Sequence, residues 1–294
     1  MWISRKSRCS VNSTLAAALL LSGCITMRAA DAPLTAEQKE QFLRTARIVK
    51  KHDAKKGVTG TVQVTMTDGT VTHDASVQMI DEFKAKFQSD DGRTEMNFKD
   101  SWKFNVAAWK LSQLLGIDDM VPPSVERKYE GKSAAYTWWI EDVMMDEVER
   151  TKRKEEPPDK DKWNLEMYVV RVFDQLIYNT DRNLTNLLID KQWRIWMIDH
   201  SRAFRTYHDL QAPKNLVQCD RSLLAKMKTL DQDTLIQALT PYVTKDEVKG
   251  LIFRRDRIVK FFDEKGDSVL YDRPKRTGQP TDSSPGAPPS PPKQ

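Results

Sequence analysis

Asn179, Asp181, Arg182, Asn183 and Asn186 crowd the segment IYNTDRNLTNLLID, residues 177–190, with apolar sequence on both sides. Asn and Asp compete with the backbone for hydrogen bonds, so one or two of them stop a helix and make a turn. Five polar groups in one short segment are more than a turn requires. Asn186 follows Asp181 by five residues, and Asp199 follows Asn186 by thirteen, at the end of a second apolar run, WRIWMID. This set has a defined chemical use. A hydroxyl attacking a phosphoryl group needs a carboxylate to orient it and take its proton, a role open to Asp181. A hard divalent cation such as Mg²⁺ or Mn²⁺ takes oxygen ligands, of the kind Asn186 and Asp199 carry. The plain alternative is an Asn/Asp-rich helix stop followed by an unrelated hairpin.

Such a cluster has to be positioned by the elements around it. KWNLEMYVVRVFDQLIYN places Leu165, Val169, Val172, Phe173 and Leu176 on one face, which predicts a core helix ending near Asn179. NLLID and WRIWMID read as two short strands joined by Asp190-Lys191-Gln192, and TKDEVKGLIFRRDRIVKFFDEKG is a further helix. Upstream, Thr35-Ala36-Glu37-Gln38 is a capping box for a helix running to about Lys50. From Gly57 the period changes to two, around the hairpin signal Thr67-Asp68-Gly69, and DEFKAKFQ is a third strand before the turn SDDG. DSWKFNVAAWKLSQLLG carries Phe104, Ala108, Leu111 and Leu115 at helical spacing, with Gly116 as its stop. PPSVERKYEG and SAAYTWWIEDVMM are two more strands. The expected fold is α+β and bilobal: a strand-rich N-lobe with one long helix, then a mainly helical C-lobe.

That layout, with the spacing of Asp181, Asn186 and Asp199, resembles the protein-kinase plan, in which a catalytic loop H-R-D-x-x-x-x-N precedes a D-F-G aspartate. NTDRNLTNLLID and MIDHSRAF are similar to the motifs of an atypical kinase-fold group. That group includes the secreted Golgi casein kinase/four-jointed family, the type II phosphatidylinositol 4-kinases and the bacterial persistence-toxin kinases. In it, N-x-D-R-x-x-x-N and I-D-[NH]-[GS]-x-A-F take the place of the usual motifs. WKFNVAAWKLSQLLGIDDMVPPSVERKYEGK resembles the group's long helix and following strand, and the likeness spans about residues 58–205. The resemblance implies Asp181 as catalytic base, with Asn186 and Asp199 as metal ligands. It also implies ATP or another nucleotide with Mg²⁺ or Mn²⁺, and a hydroxyl-bearing acceptor on a protein, lipid or sugar. The nucleotide-binding lysine is expected at Lys84 or Lys86, with Lys84 preferred because FKA resembles the group's FKP. Glu141 follows TWWI, where a hinge contacts adenine through its backbone.

Two departures point instead to a pseudokinase, which binds a nucleotide or partner without turnover. No G-x-G-x-x-G lies between the first strands, where Gly57, Gly60 and Gly69 are the glycines present. The group's helix glutamate falls at Asn105, for which Glu95 and Asp100 are the candidate substitutes. Arg182 and Arg202 have two roles open to them, touching phosphates or bracing the loop by ion pairs, and bracing is the expected one. His52, His73, His200 and His208 show no metal-ligand spacing and read as surface or hydrogen-bonded histidines.

Composition bounds the rest. The chain has 294 residues, enough for one large domain or two small ones. MWISRKSRCS is basic, LAAALLL is a short apolar run, and LSGC closes the segment at Cys24. This pattern predicts a signal peptide, its apolar stretch being too short to span a bilayer as a mature helix. Leu21-Ser22-Gly23-Cys24 resembles the bacterial lipobox. It implies a lipidated Cys24 at the mature N-terminus and a membrane anchor on the extracytoplasmic side of the bacterial cell envelope. Loss of Arg5, Lys6 and Arg8 with that peptide lowers the formal charge from +5 to +2, which leaves little support for nucleic-acid binding. Cys219 is then the one thiol left without lipid, and it cannot form an internal disulfide. RPKRTGQPTDSSPGAPPSPPKQ holds seven of the chain's fourteen prolines and predicts an extended, disordered tail. The expected organisation is a signal peptide over 1–23, a spacer and helix over 24–56, an N-lobe over 57–145, a C-lobe over 146–270 and the tail over 271–294.

Overall fold

In the computed structural model, which describes residues 33–52, 61–88, 92, 94–274 and 276, the expected capping box is closed. The Thr35 hydroxyl accepts from the Gln38 N–H at 3.2 Å, and the Gln38 side chain accepts from the Thr35 N–H at 2.8 Å, starting α1 (Ala36–Thr45). Cys24 and its signal segment, Gly57, Gly60 and the chain beyond Arg276 lie outside the described residues. Helix α1 stops at Thr45, short of the expected Lys50, because Ile48 and Val49 favour extended backbone. Arg47–His52 is strand β1, paired antiparallel with β2 (Val62–Thr67). The Asp68 carboxylate accepts from the N–H groups of Thr70 and Val71 at 2.8 Å, and Gly69 sits at φ 99°, turning the chain into β3 (Thr72–Gln78).

β4 (Asp81–Gln88) and β5 (Thr94–Ser101) then form a separate hairpin before α2 (Lys103–Leu115), which ends at Gly116 in the left-handed region, as expected. β6 (Ser124–Tyr129) and β7 (Lys132–Trp138) complete a five-stranded antiparallel sheet in the order β1-β2-β3-β7-β6. Phe42 and Leu43 of α1, with Ala46 just after it, pack on Val64, Met66, Ala75, Val77, Tyr136 and Trp138, so one sheet face belongs to this core. The alternate residues of β3, Asp74, Ser76 and Gln78, therefore lie on the opposite face.

The second half holds β8 (Val143–Asp146), α3 (Glu147–Arg153), α4 (Lys160–Ile177), β9 (Leu187–Asp190), β10 (Ile195–Met197), β11 (Cys219–Asp220), α5 (Arg221–Thr229), α6 (Gln232–Leu239), α7 (Lys245–Lys265) and β12 (Leu270–Tyr271). Its core joins Val169, Val172, Phe173 and Leu176 of α4 to Leu251, Ile258 and Phe262 of α7. Helix α2 binds the two halves: Phe104, Ala108, Leu111 and Leu115 enter that core, while Val106 packs with Trp102 and Ala135. Each of the leucine, valine and phenylalanine side chains among these contributes about 1.5–3 kcal/mol on full burial. The plan is the expected α+β arrangement, an antiparallel-sheet first half followed by a mainly helical second half. No described helix is long and apolar enough to cross a membrane.

The expected start of the tail at residue 271 is corrected. β12 pairs with β11, and Arg273 grips Asp119 through two contacts of 2.8 Å. Arg276 bonds Glu166 at 2.9 Å and the Ile195 carbonyl at 2.7 Å, and all four of these charged side chains are at most 9% exposed. Composition counts such arginines as solvated; here two buried carboxylates offset their desolvation.

Candidate active site

The loop after α4 is built from the polar cluster itself. Asn179 donates its amide to Asp174 at 3.2 Å and accepts from the Asp181 N–H at 3.1 Å. Arg182 donates from Nε to Asp174 at 3.0 Å and from Nη1 to the carbonyls of Asn186 at 3.1 Å and Ile198 at 2.8 Å. One guanidinium thus ties helix α4, the loop and the end of the following hairpin together, the bracing role expected of it. The Asn183 side chain accepts from the Thr185 N–H at 3.0 Å and caps a single 3₁₀ turn, Leu184–Asn186. Asn186 donates its amide to the Asp181 carbonyl at 3.2 Å, while its carbonyl accepts from the Ile198 N–H at 3.1 Å. Each polar residue of the segment therefore has its own task, and Asp181, Asn186 and Asp199 are brought to one place.

Asp199 sits at φ 51°, a conformation that residues with a Cβ rarely adopt. Its Oδ1 lies 3.5 Å from Gln78 Nε2 and 3.4 Å from the Ser201 N–H, both long for hydrogen bonds, and its Oδ2 bonds no described residue. The Asn186 side-chain oxygen is likewise uncommitted among the described residues. An amide oxygen and a carboxylate fit Mg²⁺ or Mn²⁺, which complete their shell with phosphate oxygens and water. Among the described residues no three His, Cys, Asp or Glu side chains gather as a closed metal cage. Burial pushes the Asp181 carboxyl above the ordinary carboxylate range; nearby Arg202 opposes this and the negative Asp199 adds to it. Arg202 Nη1 lies 3.4 Å from Asp181 Oδ2, and its Nε donates to Asp100 at 2.8 Å.

The two expected lysines are not at this cluster. Lys84 and Lys86 are exposed on β4, in the separate hairpin, and Lys84 pairs with Glu82 at 3.0 Å. The strand beside β7 is β3, and its Gln78 approaches Asp199 instead. Asn105 of α2 donates its amide to the Gln78 side-chain oxygen and accepts from the His200 N–H at 2.8 Å. A neutral amide pair stands where the resemblance puts a lysine–glutamate ion pair. The expectation misses because Arg47–His52 is an additional strand, which moves each later strand one place along the sheet. Glu95 and Asp100 do not replace the missing acid, since they pair with Arg205 and Arg202. Gln78 had a sequence signal: it shares the period-two face of Asp74 and Ser76.

Glu141 is exposed and lies 3.3 Å from His73 Nε2. With Thr65, Asp74, Trp139 and Val143 it lines a cavity of about 610 Å³ between β2, β3 and the segment after β7. Asp181, Asn186 and Asp199 do not line this cavity. The Asp74 carboxylate there accepts from Gln63 at 2.7 Å and Thr65 at 2.6 Å. His200, expected to be hydrogen-bonded or exposed, is neither: its ring is buried, Nε2 has no partner among the described residues, and burial holds its pKa well below the usual value.

No family model matches the chain, and no curated protein matches it in sequence. Among solved structures it is similar to the Helicobacter pylori proinflammatory kinase CtkA, at 12% identity and a TM-score of 0.45, over 73% of this chain and 91% of that one. It is also similar to PpkA-294 in its apo form, at 10% identity and a TM-score of 0.30, over 52% of this chain and 58% of that one. These likenesses assign no residue of this chain a role.

Proposed function

We propose that the protein is an envelope-anchored atypical kinase that transfers the γ-phosphate of ATP or another nucleotide to a hydroxyl of a protein, lipid or sugar. The observation that carries this reading is the meeting of Asp181, Asn186 and Asp199, with one oxygen of Asn186 and one of Asp199 left uncommitted among the described residues. The acceptor oxygen bonds to the γ-phosphorus as that atom's bond to the β–γ bridging oxygen breaks. The hydroxyl proton passes to the Asp181 carboxylate, and the nucleoside diphosphate leaves with the electron pair. Asn186 and Asp199 would hold Mg²⁺ or Mn²⁺, which would supply charge neutralisation for the phosphate oxygens. A raised Asp181 is a better proton acceptor than an ordinary aspartate. Titrating the purified full chain with ATP, with and without Mg²⁺, tests the reading. Metal-dependent binding should weaken at least roughly tenfold in Asp199→Ala, which removes a charged ligand. Equal binding by wild type and variant would show that the loop is a helix stop.

The anchor belongs to the same proposal. Lipid on Cys24 would hold the protein on membranes through several acyl chains, far more firmly than one chain does. Cys24→Ala should release it from the membrane fraction or leave an uncleaved precursor, and unchanged cleavage and fractionation would exclude lipidation there.

A second reading rests on Gln78 and Asn105. Two amides give the phosphates no positive charge, as in a pseudokinase that binds a nucleotide or partner without turnover. Metal-dependent binding of ATP without transfer of label to any acceptor distinguishes the two.

A further inference from the structure

A nucleoside triphosphate would bring several negative charges to a cluster that already holds Asp181 and Asp199. Gln78 and Asn105 offset none of that charge. Arg182 cannot serve either, because its Nε, Nη1 and Nη2 are all bonded inward, to Asp174 and to the carbonyls of Asn186 and Ile198. Arg202 is placed differently. Its backbone is fixed to the catalytic loop, since its carbonyl accepts from the Thr180 N–H at 3.1 Å and the Thr180 hydroxyl at 3.0 Å. Its Nε is anchored to Asp100, which is 1% exposed, and its guanidinium carbon lies 5.3 Å from the centre of the Phe98 ring. The other edge is loosely held: Nη1 is 3.4 Å from Asp181 Oδ2 without hydrogen-bond geometry, and Nη2 donates to no described residue. The side chain keeps 29% of its surface in solvent. A guanidinium with one edge bound and the other open beside a candidate base is a preorganised fork for phosphate oxygens.

We propose that Arg202 contacts the γ-phosphate of the bound nucleotide through its Nη1 and Nη2 edge, and that Asp100 is the positioning residue that aims it. This rests on the nucleotide-binding reading above. The assignment places the site's cation on the turn after Asp199 and not on the strand opposite. It makes the site selective for a triphosphate over a diphosphate, because the diphosphate lacks the group that Arg202 meets. Asp100 holds Arg202 by one oxygen only; its Oδ1 is buried with no hydrogen-bond partner among the described residues, so nothing else fixes that carboxylate.

The test is calorimetric titration of the purified full chain with Mg²⁺–ATP and, separately, Mg²⁺–ADP. Wild type should prefer ATP, and Arg202→Gln should lose roughly tenfold of that preference, the worth of a charge-assisted bond, while binding Mg²⁺–ADP as before. Arg202→Lys should recover part of it, because a point charge replaces the fork. ADP binding reports the folded state of each variant. If Arg202→Gln does not fold, Asp100→Asn reads the same contact from its anchor and should lose a smaller part of the preference. An ATP-to-ADP ratio unchanged in Arg202→Gln, or in Asp100→Asn where that variant stands in, overturns the Arg202 assignment and leaves nucleotide binding standing. Wild type that binds neither nucleotide overturns the reading beneath it.

Discussion

The loop side of the candidate site, from Asp181 to Asp199, carries two carboxylates, whereas the strand side, Gln78 of β3 with Asn105 of α2 behind it, carries two neutral amides. Both sides are braced, but by different means. On the loop side the Arg182–Asp174 ion pair, with both side chains about a tenth exposed, fixes three segments at once. On the strand side the same work is done by hydrogen bonds alone: β3 to α2 through Gln78 and Asn105, then α2 to the turn after Asp199 through the His200 N–H. A buried ion pair there would cost several kcal/mol of desolvation per charge before any Coulombic return. Two amides keep the geometry at far lower cost. The difference teaches that such a pair has two separable jobs, holding a helix to a strand and presenting a cation to phosphate, and here only the first is kept at that position. The second passes, on the assignment made above, to Arg202.

The largest expected effect lies on the loop side. Asp181→Asn keeps the shape and removes the proton acceptor, so transfer should fall by roughly 10²–10⁴-fold while nucleotide binding is retained. Because burial raises the Asp181 pKa, wild-type transfer should climb with pH along an acid limb lying above the ordinary aspartate value of about 3.9. The variant should lack that limb. The linkage has a definite sign. Folding favours the protonated carboxyl, so this group's contribution to stability declines as pH rises through the raised value. Replacing it should therefore not lower the melting temperature at neutral pH. A variant that transfers phosphate at the wild-type rate would remove Asp181 from the chemistry and leave the two sides of the candidate site equally inert.

How far each side was readable from sequence follows from the distance between its parts. The loop is local: Asp174, Asn179, Arg182, Asn183 and Asn186 meet within a few turns of chain, so residue type and spacing point straight at it. The capping box at Thr35 and the stop at Gly116 are readable for the same reason. Gln78 depends instead on which strand lies beside β7, and that depends on Arg47–His52 being a strand, although its Lys50 and Lys51 look like the end of a helix. β5, with TEMNFKDS, has no clean alternation to announce it. The Arg202–Asp100 contact spans 102 residues of chain, and Arg276 reaches 110 residues back to Glu166, separations that no local pattern encodes.

The last and smallest effect tests the strand side directly. Gln78 and Asn105 are 6% and 8% exposed, so Asn105→Glu alone buries a carboxylate with no cation beside it and should lower the melting temperature, whereas Gln78→Lys alone has the Asp199 carboxylate, 3.5 Å from the Gln78 amide, as a partner and should lower it less. The double variant supplies both partners. In a double-mutant cycle its stability should exceed the sum of the singles by about 0.5–3 kcal/mol, the range for groups in contact. A lysine at position 78 would also face the phosphates that Gln78 leaves unpaired, so affinity for Mg²⁺–ADP and Mg²⁺–ATP should rise together, roughly tenfold. That shared rise differs from the Arg202→Gln result, where the loss falls on ATP alone. Tighter binding of both nucleotides in the double variant would show that neutrality of the strand side limits this site. Unchanged affinity with recovered stability would show that Gln78 and Asn105 are scaffold only, and that the loop side meets the nucleotide without them.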